Sequence, residues 1–257
     1  MEVASIQMGV VEDDKAGAID QAVQRIRQCR GADLIILPEL WNIGFMSFEQ
    51  YYAQAETEEG PTLSAMQAMA RGMGAFVHTG SFVLQDKDTY YNASYLLSPQ
   101  GEILGSYRKI HLFAFNSREK QLLTPGEQIS VISTPLGVLG LATCFDLRFP
   151  ELFRRMVEQG AEIFLVCSAW PYPRLEHWLM LNRVRAVENQ CALISANSVG
   201  PNRGATLVGH SMVVDAWGTI RAGAGDEEAI VRTSVDRNTI YDARQRFPGL
   251  AGRTDWL

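Results

Sequence analysis

The sequence has few cysteines and no metal-binding pattern built from them. Its four cysteines, Cys29, Cys144, Cys167 and Cys191, are far apart among 257 residues and form no Cys-x-x-Cys pair. This spacing argues against a zinc site of the usual kind. Free thiols favour a reducing compartment. We therefore expect no bound metal and a cytoplasmic location.

The start of the sequence does not show a signal-peptide pattern, and the sequence has neither a long apolar run nor a dense cluster of one charge. Its first eight residues do not contain the basic and apolar regions of a signal peptide, and no run approaches the roughly 18 apolar residues of a membrane helix. The formal net charge is −6, without a local Lys/Arg cluster. This charge pattern argues against a nucleic-acid partner. A soluble protein acting on a small molecule is expected.

Short apolar runs alternate with amphipathic segments along the whole chain. With 47% hydrophobic residues, a chain of this length can bury a full core, and we expect a single domain over residues 1–257. The predicted strands are Ile35–Leu37, Ala75–Val77, Tyr95–Leu97, Val138–Ala142, Ile163–Val166, Ala192–Ser195 and Met212–Val214. The predicted helices are Ala18–Cys29, Leu63–Arg71, Glu151–Glu158 and Glu176–Asn189. Strands that alternate with helices indicate an α/β fold.

One stretch of the chain is echoed by another. Residues 31–37, GADLIIL, are matched by residues 160–166, GAEIFLV, and Trp41 and Trp170 each follow ten residues after the leading glycine. In both copies a helix is expected to stop at Gly, which tolerates the left-handed conformation, before a strand begins. We interpret the echo as two similar halves of one domain, joined near residues 124–126. Chance similarity of two helix–strand units is the alternative.

Cys144 is the strongest candidate for a reactive group. An apolar strand leads into it, a short turn follows, and Pro150 and Glu151 open a helix. This order puts the sulfur at the carboxyl edge of a sheet, near backbone N–H groups that can hold an oxyanion. An inert buried thiol is the common alternative. The surrounding sequence favours a nucleophile.

Two charged residues also follow predicted strands. Glu39 comes directly after an apolar run, and desolvation there would favour the basicity that a general base needs. Lys109 lies at the end of a strand predicted to begin near Glu102. Taken alone, Glu39 is as compatible with a solvent-facing loop charge as with a catalytic group, and Lys109, next to Arg108, is more typical of a solvated charge pair.

Three segments together carry a specific resemblance. These segments are Leu37-Pro38-Glu39-Leu40, the segment from Tyr107 to Phe113 and the segment from Cys144 to Glu151. In this order they resemble the signature segments of the nitrilase (carbon–nitrogen hydrolase) superfamily. The resemblance covers essentially the whole chain. It implies a four-layer α-β-β-α sandwich built from two similar halves, no cofactor, and a homodimer or larger homo-oligomer.

The resemblance also implies roles for individual residues. Glu39, Lys109 and Cys144 match the catalytic triad of the superfamily, and Glu119 matches an additional glutamate that holds the substrate and the lysine. The chemistry implied is attack of the thiolate on an amide carbon, with Lys109 and the backbone N–H of Phe145 at the oxyanion. A Cys–His pair of the papain type is a weaker alternative, because its local signatures are absent.

The substrate is expected to be a small primary amide that bears a carboxylate. The segment from Trp170 to Arg174 resembles the ω-amidase branch, whose members act on monoamides of short 2-oxo-dicarboxylates such as 2-oxoglutaramate. Arg174 is the first candidate for the carboxylate, since a guanidinium can bind it through two parallel hydrogen bonds. Arg148 is the second candidate, with an ion pair to Glu151 or another local acid as its alternative.

Other side chains and other activities complete this hypothesis. Trp170 and Phe145 would wall the apolar middle of a short substrate, and His177 could line the pocket. Deaminated-glutathione-type amides and N-carbamoyl amino acids are the alternative substrates, and a catalytically silent binding protein is the alternative of another class. Nitrile hydrolysis is disfavoured, because Cys144-Phe145-Asp146 resembles the Cys-Tyr-Asp of amidases rather than the Cys-Trp-Glu of nitrilases.

Overall fold

The computed structural model describes residues 1–254; residues 255–257, the end of the range expected for the single domain, lie outside the described residues. In the described part the strands are β1 (Glu2–Gln7), β2 (Leu34–Ile36), β3 (Phe76–Asp86), β4 (Thr89–Leu97), β5 (Ile103–Arg108), β6 (Ser130–Thr134), β7 (Gly137–Thr143), β8 (Ile163–Ser168), β9 (Ala192–Asn197), β10 (Val199–Asn202), β11 (Ala205–Val208), β12 (Met212–Val214), β13 (Ile220–Gly223) and β14 (Ala229–Ser234). The helices are α1 (Lys15–Arg27), α2 (Pro61–Met73), α3 (Glu119–Leu122), α4 (Pro150–Glu158), α5 (Leu175–Asn189) and α6 (Arg237–Arg246), with 3-10 turns at Phe48–Gln50 and Cys144–Arg148.

Most of these strands belong to two six-stranded sheets with the same pairing pattern. The first sheet has the order β14-β1-β2-β3-β4-β5, and the second has the order β6-β7-β8-β9-β12-β13. In each sheet three neighbouring strands are parallel, β1 to β3 and β7 to β9, and the remaining pairs are antiparallel. Strands β10 and β11 pair separately as a hairpin.

The helices repeat the same correspondence. Helix α1 connects β1 to β2 as α4 connects β7 to β8, and α2 connects β2 to β3 as α5 connects β8 to β9. The echo between residues 31–37 and 160–166 therefore marks equivalent units, and the expectation of two similar halves is confirmed. One strand departs from a simple division at residues 124–126: β14 follows the second half in sequence but pairs with β1 of the first sheet.

The glycines that lead the two echoed segments differ in their exact position. Gly160 has a φ of +94° and directly follows Gln159, the C-cap of α4. Gly31 has a φ of +81° but lies three residues beyond Gln28, the C-cap of α1. The expected glycine stop thus holds at α4, whereas at α1 the glycine belongs to the following turn.

Alternating side chains of the strands build a four-layer sandwich. In β2, Leu34 and Ile36 pack between the two sheets, whereas Ile35 points the other way and packs against α1 and α2. The second sheet packs its opposite face against α4 and α5. Because a strand alternates its side chains between two faces, continuous apolar runs are buried on both sides. The predicted α-β-β-α layering is therefore confirmed.

The predicted strands and helices correspond to elements of the fold, with shifts of a few residues at their ends. The largest difference is in length: β3 and β4 extend well beyond the predicted Ala75–Val77 and Tyr95–Leu97. Strands β1, β6, β10, β11, β13 and β14 and helices α3 and α6 were not predicted. Within residues 1–254, no helix combines the length and the apolar character needed to span a bilayer.

Candidate active site

Three charged side chains from separate segments meet in the interior. The Nζ atom of Lys109 lies 2.7 Å from Glu39 Oε1 and 3.0 Å from both carboxylate oxygens of Glu119. All three side chains are fully buried. The structure thus brings together Glu39, Lys109 and Glu119, which are separated by up to 80 residues in the sequence.

Further hydrogen bonds fix the two carboxylates. The Nδ2 atom of Asn92 donates to Glu39 Oε1 at 2.9 Å and to Glu119 Oε1 at 2.8 Å. The backbone N–H of Ala169 donates to Glu39 Oε2, and that of Phe113 donates to Glu119 Oε2. Asn92 was not predicted from the sequence, because an isolated asparagine in strand β4 belongs to no motif. Each carboxylate oxygen therefore has a fixed donor.

The segment that carries Glu39 is held against strand β3 by a close backbone approach. Gly80 lies at a bulge of β3 with a φ of +65°, and a Cβ atom there would be 2.0 Å from the carbonyl oxygen of Pro38. The N–H of Leu40 donates to Ser81 Oγ, and Trp41 Nε1 donates to the Thr79 carbonyl. Only glycine fits this contact, which sets the position of Glu39.

Cys144 lies where the parallel strands of the second sheet end. Thr143, the last residue of β7, pairs with Cys167 of β8, so Cys144 lies beside Ser168 at the carboxyl edge. Cys144 has a φ of +48°, which is uncommon for a side chain other than glycine and is a conformation found at functional turns. It is only 7% exposed. Because Glu39 N donates to the Ser168 carbonyl, the Glu39 segment reaches the same edge.

Electrostatics keeps the thiol protonated and the lysine charged at rest. Burial raises the pKa of Cys144 well above its usual value, the charge of Glu39 raises it further, and Lys109 acts in the opposite direction. For Lys109, burial lowers the pKa, but Glu119 and Glu39 together hold it well above its usual value. Burial also raises the pKa of Glu119, against the opposing effect of Lys109.

A small, largely apolar pocket opens at the sulfur of Cys144. Its walls contain the predicted residues Phe145, Arg148, Trp170 and Arg174. The remaining lining residues, which were not predicted from the sequence, are Phe45, Phe113, Ala169 and Pro171. The pocket therefore combines aromatic walls with two guanidinium groups close to a thiol.

The two arginines of this pocket have no acidic partner among residues 1–254. The guanidinium of Arg148 stacks 4.9 Å from the Trp170 ring, and that of Arg174 lies 5.5 Å from the Phe113 ring. The alternative for Arg148, an ion pair with Glu151 or another acid, is not formed in that part of the chain. Burial and the charge of Arg174 lower the pKa of Arg148, so an anion here would be stabilised.

His177 lies outside the pocket, contrary to the expectation that it could line the site. Its side chain is exposed near the start of α5, and its Nδ1 atom is 3.1 Å from Arg148 Nη2. The reason is geometric, because the first turn of α5 directs His177 to solvent, while Trp178 points inward. His177 is therefore connected to the pocket by its contact with Arg148.

Asp146 is a buried residue of the segment from Cys144 to Glu151, and no role was predicted for it from the sequence. It is fully buried and accepts hydrogen bonds from the side chains of Tyr107 and His111. His111 also stacks on the Phe149 ring at 3.7 Å, so its ring packs against the residues that follow Cys144. The motif spacing, two residues after the nucleophile, was the signal that could have identified Asp146.

Metal-binding geometry is absent from the described part of the chain. Within residues 1–254, no three or more His, Cys, Asp or Glu side chains are grouped so that they could hold a metal ion. A mechanism without metal or cofactor stays a prediction.

The chain is similar to curated proteins over almost its whole length. The carbon-nitrogen hydrolase family model matches residues 2–245. The 2-oxoglutaramate amidase of Paenarthrobacter nicotinovorans is 33% identical, over 98% of this chain and 89% of that protein. The deaminated glutathione amidase of Yersinia enterocolitica is 34% identical, over 92% of this chain and 86% of that protein.

Solved structures agree with this similarity. XC1258 from Xanthomonas campestris, a CN-hydrolase superfamily protein, superposes with a TM-score of 0.93 at 28% identity, covering 100% of this chain and 98% of that one. A glutamate-to-glutamine mutant of the amidase from Nesterenkonia sp. AN1 superposes with a TM-score of 0.84 at 27% identity, covering 100% and 97% of the two chains. That structure has the acetamide moiety of fluoroacetamide covalently added at the active site cysteine.

Proposed function

Since the chain belongs to the carbon–nitrogen hydrolase family, we propose that it is an amidase that hydrolyses a small primary amide bearing a carboxylate. The proposed substrate type is the monoamide of a short 2-oxo-dicarboxylate, such as 2-oxoglutaramate, and the products are the acid and ammonia. The similarity to 2-oxoglutaramate amidase supports this choice. We further propose a cytoplasmic location and no metal or cofactor.

One observation carries the proposal: the pocket at Cys144 contains two arginines that have no acidic partner within the described residues 1–254. Buried or half-buried guanidinium groups are stabilised by an anion, and a carboxylate matches their planar, two-pronged geometry. Arg148 and Arg174 lie over aromatic rings on the wall of the pocket. A short substrate with an amide at one end and a carboxylate at the other would reach both Cys144 and an arginine.

The proposed first half-reaction forms a thioester on Cys144. Because the thiol is protonated at rest, its proton passes to Glu39 as the sulfur attacks the amide carbon. The Lys109 ammonium and the backbone N–H of Phe145 then stabilise the oxyanion of the tetrahedral intermediate. As the C–N bond breaks, the proton on Glu39 moves to the departing nitrogen, which leaves as ammonia.

The second half-reaction releases the acid. A water molecule loses a proton to Glu39 and attacks the thioester carbon, and collapse of the second tetrahedral intermediate breaks the C–S bond and returns the proton to the sulfur. Glu119 takes a supporting role in the proposal. Its two oxygens lie 3.0 Å from Lys109 Nζ, so it holds the ammonium in place while Glu39 changes protonation state.

Ammonia release from a set of amides tests the proposed function. The set contains 2-oxoglutaramate, succinamate, a deaminated-glutathione-type amide, an N-carbamoyl amino acid and an uncharged short amide. We expect the highest kcat/KM on one of the two short carboxylate-bearing amides, 2-oxoglutaramate or succinamate. No ammonia from these two would contradict the proposed substrate, and no hydrolysis of any member would favour a silent binding protein.

Arg174→Ala tests how the carboxylate is recognised. Loss of one partner of a desolvated charge pair costs about 2–4 kcal/mol, which corresponds to a fall of roughly 30- to 1,000-fold in kcat/KM. We expect this loss with carboxylate-bearing amides and a much smaller one with an uncharged short amide. Arg246→Ala is the control, because its side chain is 75% exposed on α6. Equal losses on charged and uncharged amides would remove Arg174 from this role.

A further inference from the structure

Asp146 accepts four hydrogen bonds and is fully buried. Its Oδ2 atom accepts from the hydroxyl of Tyr107 and from the backbone N–H of Thr143, both at 2.8 Å. Its Oδ1 atom accepts from Nδ1 of His111 at 2.7 Å and from the backbone N–H of the same residue at 3.2 Å. A buried carboxylate with this many donors is held in one orientation.

The donors come from the two segments that carry reacting groups. Tyr107 and His111 lie two residues before and two residues after Lys109, whereas Thr143 immediately precedes Cys144. Direct backbone pairing does not join these segments, since β5 belongs to the first sheet and β7 to the second. The Asp146 carboxylate therefore directly links the segment that carries Lys109 to the turn that carries Cys144.

A neutral amide of the same shape cannot replace this carboxylate. Each oxygen of Asp146 faces a backbone N–H, and a backbone N–H cannot become an acceptor. Asparagine would put its NH2 group against one of them in either orientation. Burial and the charge of Asp146 raise the pKa of Tyr107 well above its usual value, so the phenol stays protonated and donates.

We propose that Asp146 is a positioning residue that fixes the distance between Lys109 and Cys144, so that the carbonyl oxygen that becomes negative when the sulfur attacks lies beside the ammonium. This inference rests on the proposed function for the roles of Lys109 and Cys144. Acyl transfer requires Lys109 and Cys144 to be at the correct distance from each other. Alkylation of the thiol by iodoacetamide requires the sulfur and a proton acceptor but forms no oxyanion.

This difference separates positioning from a purely structural role. Acylation of Cys144 by p-nitrophenyl acetate, followed as the burst of nitrophenolate, passes through a tetrahedral oxyanion, whereas alkylation by iodoacetamide does not. In Asp146→Asn, a displacement on the order of 1 Å between the two segments lowers the acylation rate by about 100-fold. The alkylation rate of the same variant is expected to fall only slightly.

Glu162→Gln is the matched control. Glu162 is also a buried carboxylate of the second half that accepts from a backbone N–H, that of Val138, and from Arg237, but it lies away from the pocket at Cys144. Replacing this buried carboxylate should therefore lower the stability by a comparable amount, measured as a fall in Tm. We expect both of its rates, acylation and alkylation, to stay near those of the unchanged protein.

Two results would overturn the inference: acylation in Asp146→Asn that falls no more than alkylation, or no more than in Glu162→Gln. If Asp146→Asn does not fold, Tyr107→Phe takes its place, because it removes one donor to Asp146 and keeps the ring. It should lower acylation more than alkylation, and equal effects would contradict the inference. Because the ester and iodoacetamide measurements need no amide substrate, failure of the proposed function would show separately, as absence of amide hydrolysis by the unchanged protein.

Discussion

The thiol of Cys144 is protonated at rest, and this determines how its reactivity should be detected. Burial raises the pKa of all four cysteines; those of Cys167 and Cys191 rise to about 12 and that of Cys29 to about 11. Thiolate content alone therefore does not distinguish Cys144 from the others. What distinguishes it is its position beside Glu39, which can accept its proton at the moment of attack.

Substitution of Cys144 should remove turnover and leave the fold intact. Cys144→Ala loses the only proposed nucleophile, while a thiol at a strand end contributes little to packing, so we expect no amide hydrolysis and a Tm close to that of the unchanged protein. Mass spectrometry should find an acyl adduct on Cys144 in Glu39→Gln incubated with substrate. An adduct on Cys29, Cys167 or Cys191 would contradict the assignment.

His78 is a buried titratable side chain outside the catalytic cluster. Burial lowers its pKa to about 3, and its Nδ1 atom accepts from the N–H of Gly80. Below pH 6.5 the unfolded chain therefore binds a proton that the folded protein excludes. The free energy of unfolding should lose about 1.4 kcal/mol per pH unit from this residue as the pH falls from 6.5 towards 3.

His78→Gln removes this contribution, and urea denaturation at several pH values between 7 and 4 measures it. We expect the variant to lose less stability on acidification than the unchanged protein, even if it is less stable at pH 7. His177→Gln is the control, because His177 is exposed. Identical slopes in the unchanged protein and in His78→Gln would show that His78 does not resist protonation.

Sequence motifs identified the reacting groups but not the residues that hold them. Glu39, Lys109, Glu119 and Cys144 were named from motif positions, and the structure brings the three charged ones into contact and Cys144 to the same sheet edge as Glu39. Asn92 bridges two carboxylates from an adjacent strand, and such a contact depends on strand register, which spacing along the chain does not determine. Spacing along the chain likewise does not determine how far an arginine lies from an acid. The sequence therefore left open whether Arg148 forms an ion pair.

At the scale of elements, apolar runs predicted the central strands well and the edges poorly. β2 and β8 are buried on both faces and stand out as continuous apolar runs. β14 has a mixed composition, because much of it is accessible, and its pairing with β1 joins residues more than 200 positions apart. A local pattern cannot predict that pairing.

The bulge of β3 at Gly80 links strand geometry to the site. In Gly80→Ala the new Cβ would meet the Pro38 carbonyl oxygen at 2.0 Å, so the segment before Glu39 must move. We expect the free energy of unfolding to fall by about 1–3 kcal/mol. We also expect kcat to fall at temperatures where the variant is still folded, because Glu39 is displaced from its productive position. Thermal unfolding and ammonia release measure the two effects.

Gly72→Ala is the matched control for this variant. Gly72 lies in α2, and a Cβ there meets no atom within 4 Å. Because alanine loses less backbone entropy than glycine on forming a helix, the variant should gain about 0.5–1 kcal/mol and keep its activity. Unchanged activity in Gly80→Ala would contradict the view that this close contact sets the position of Glu39.

For the whole molecule, the outer face of α5 is where we expect a second copy to bind. Met180 and Val187 are 55% and 43% exposed on this helix, and Trp217, 50% exposed, lies on the turn after β12. The turn is attached to the helix, since Arg183 Nε donates to the carbonyl of Gly218. Helix α4 packs beside α5, and we expect both helices to contribute to the contact.

The exposed residues of α4 are mainly charged, so α5 would supply the apolar centre of such a contact and α4 its rim. These exposed charges are Glu151, Arg155 and Glu158. Interface centres are depleted in charge, whereas rims are polar. Both the homodimer and this division of its surface are proposals.

Light scattering and sedimentation at micromolar concentration should give twice the mass of the chain, because a face that is apolar at its centre and charged at its edge can pair with itself around a two-fold axis. Val187→Glu puts a charge at the centre of that face and is expected to give a monomer. Ile103→Glu is the control, since Ile103 is similarly exposed but lies on the edge strand of the first sheet. A monomeric unchanged protein, or a Val187→Glu variant that stays dimeric, would contradict the proposed contact.

Because α5 begins directly after Arg174, loss of the dimer should also raise KM for carboxylate-bearing amides more than for an uncharged amide.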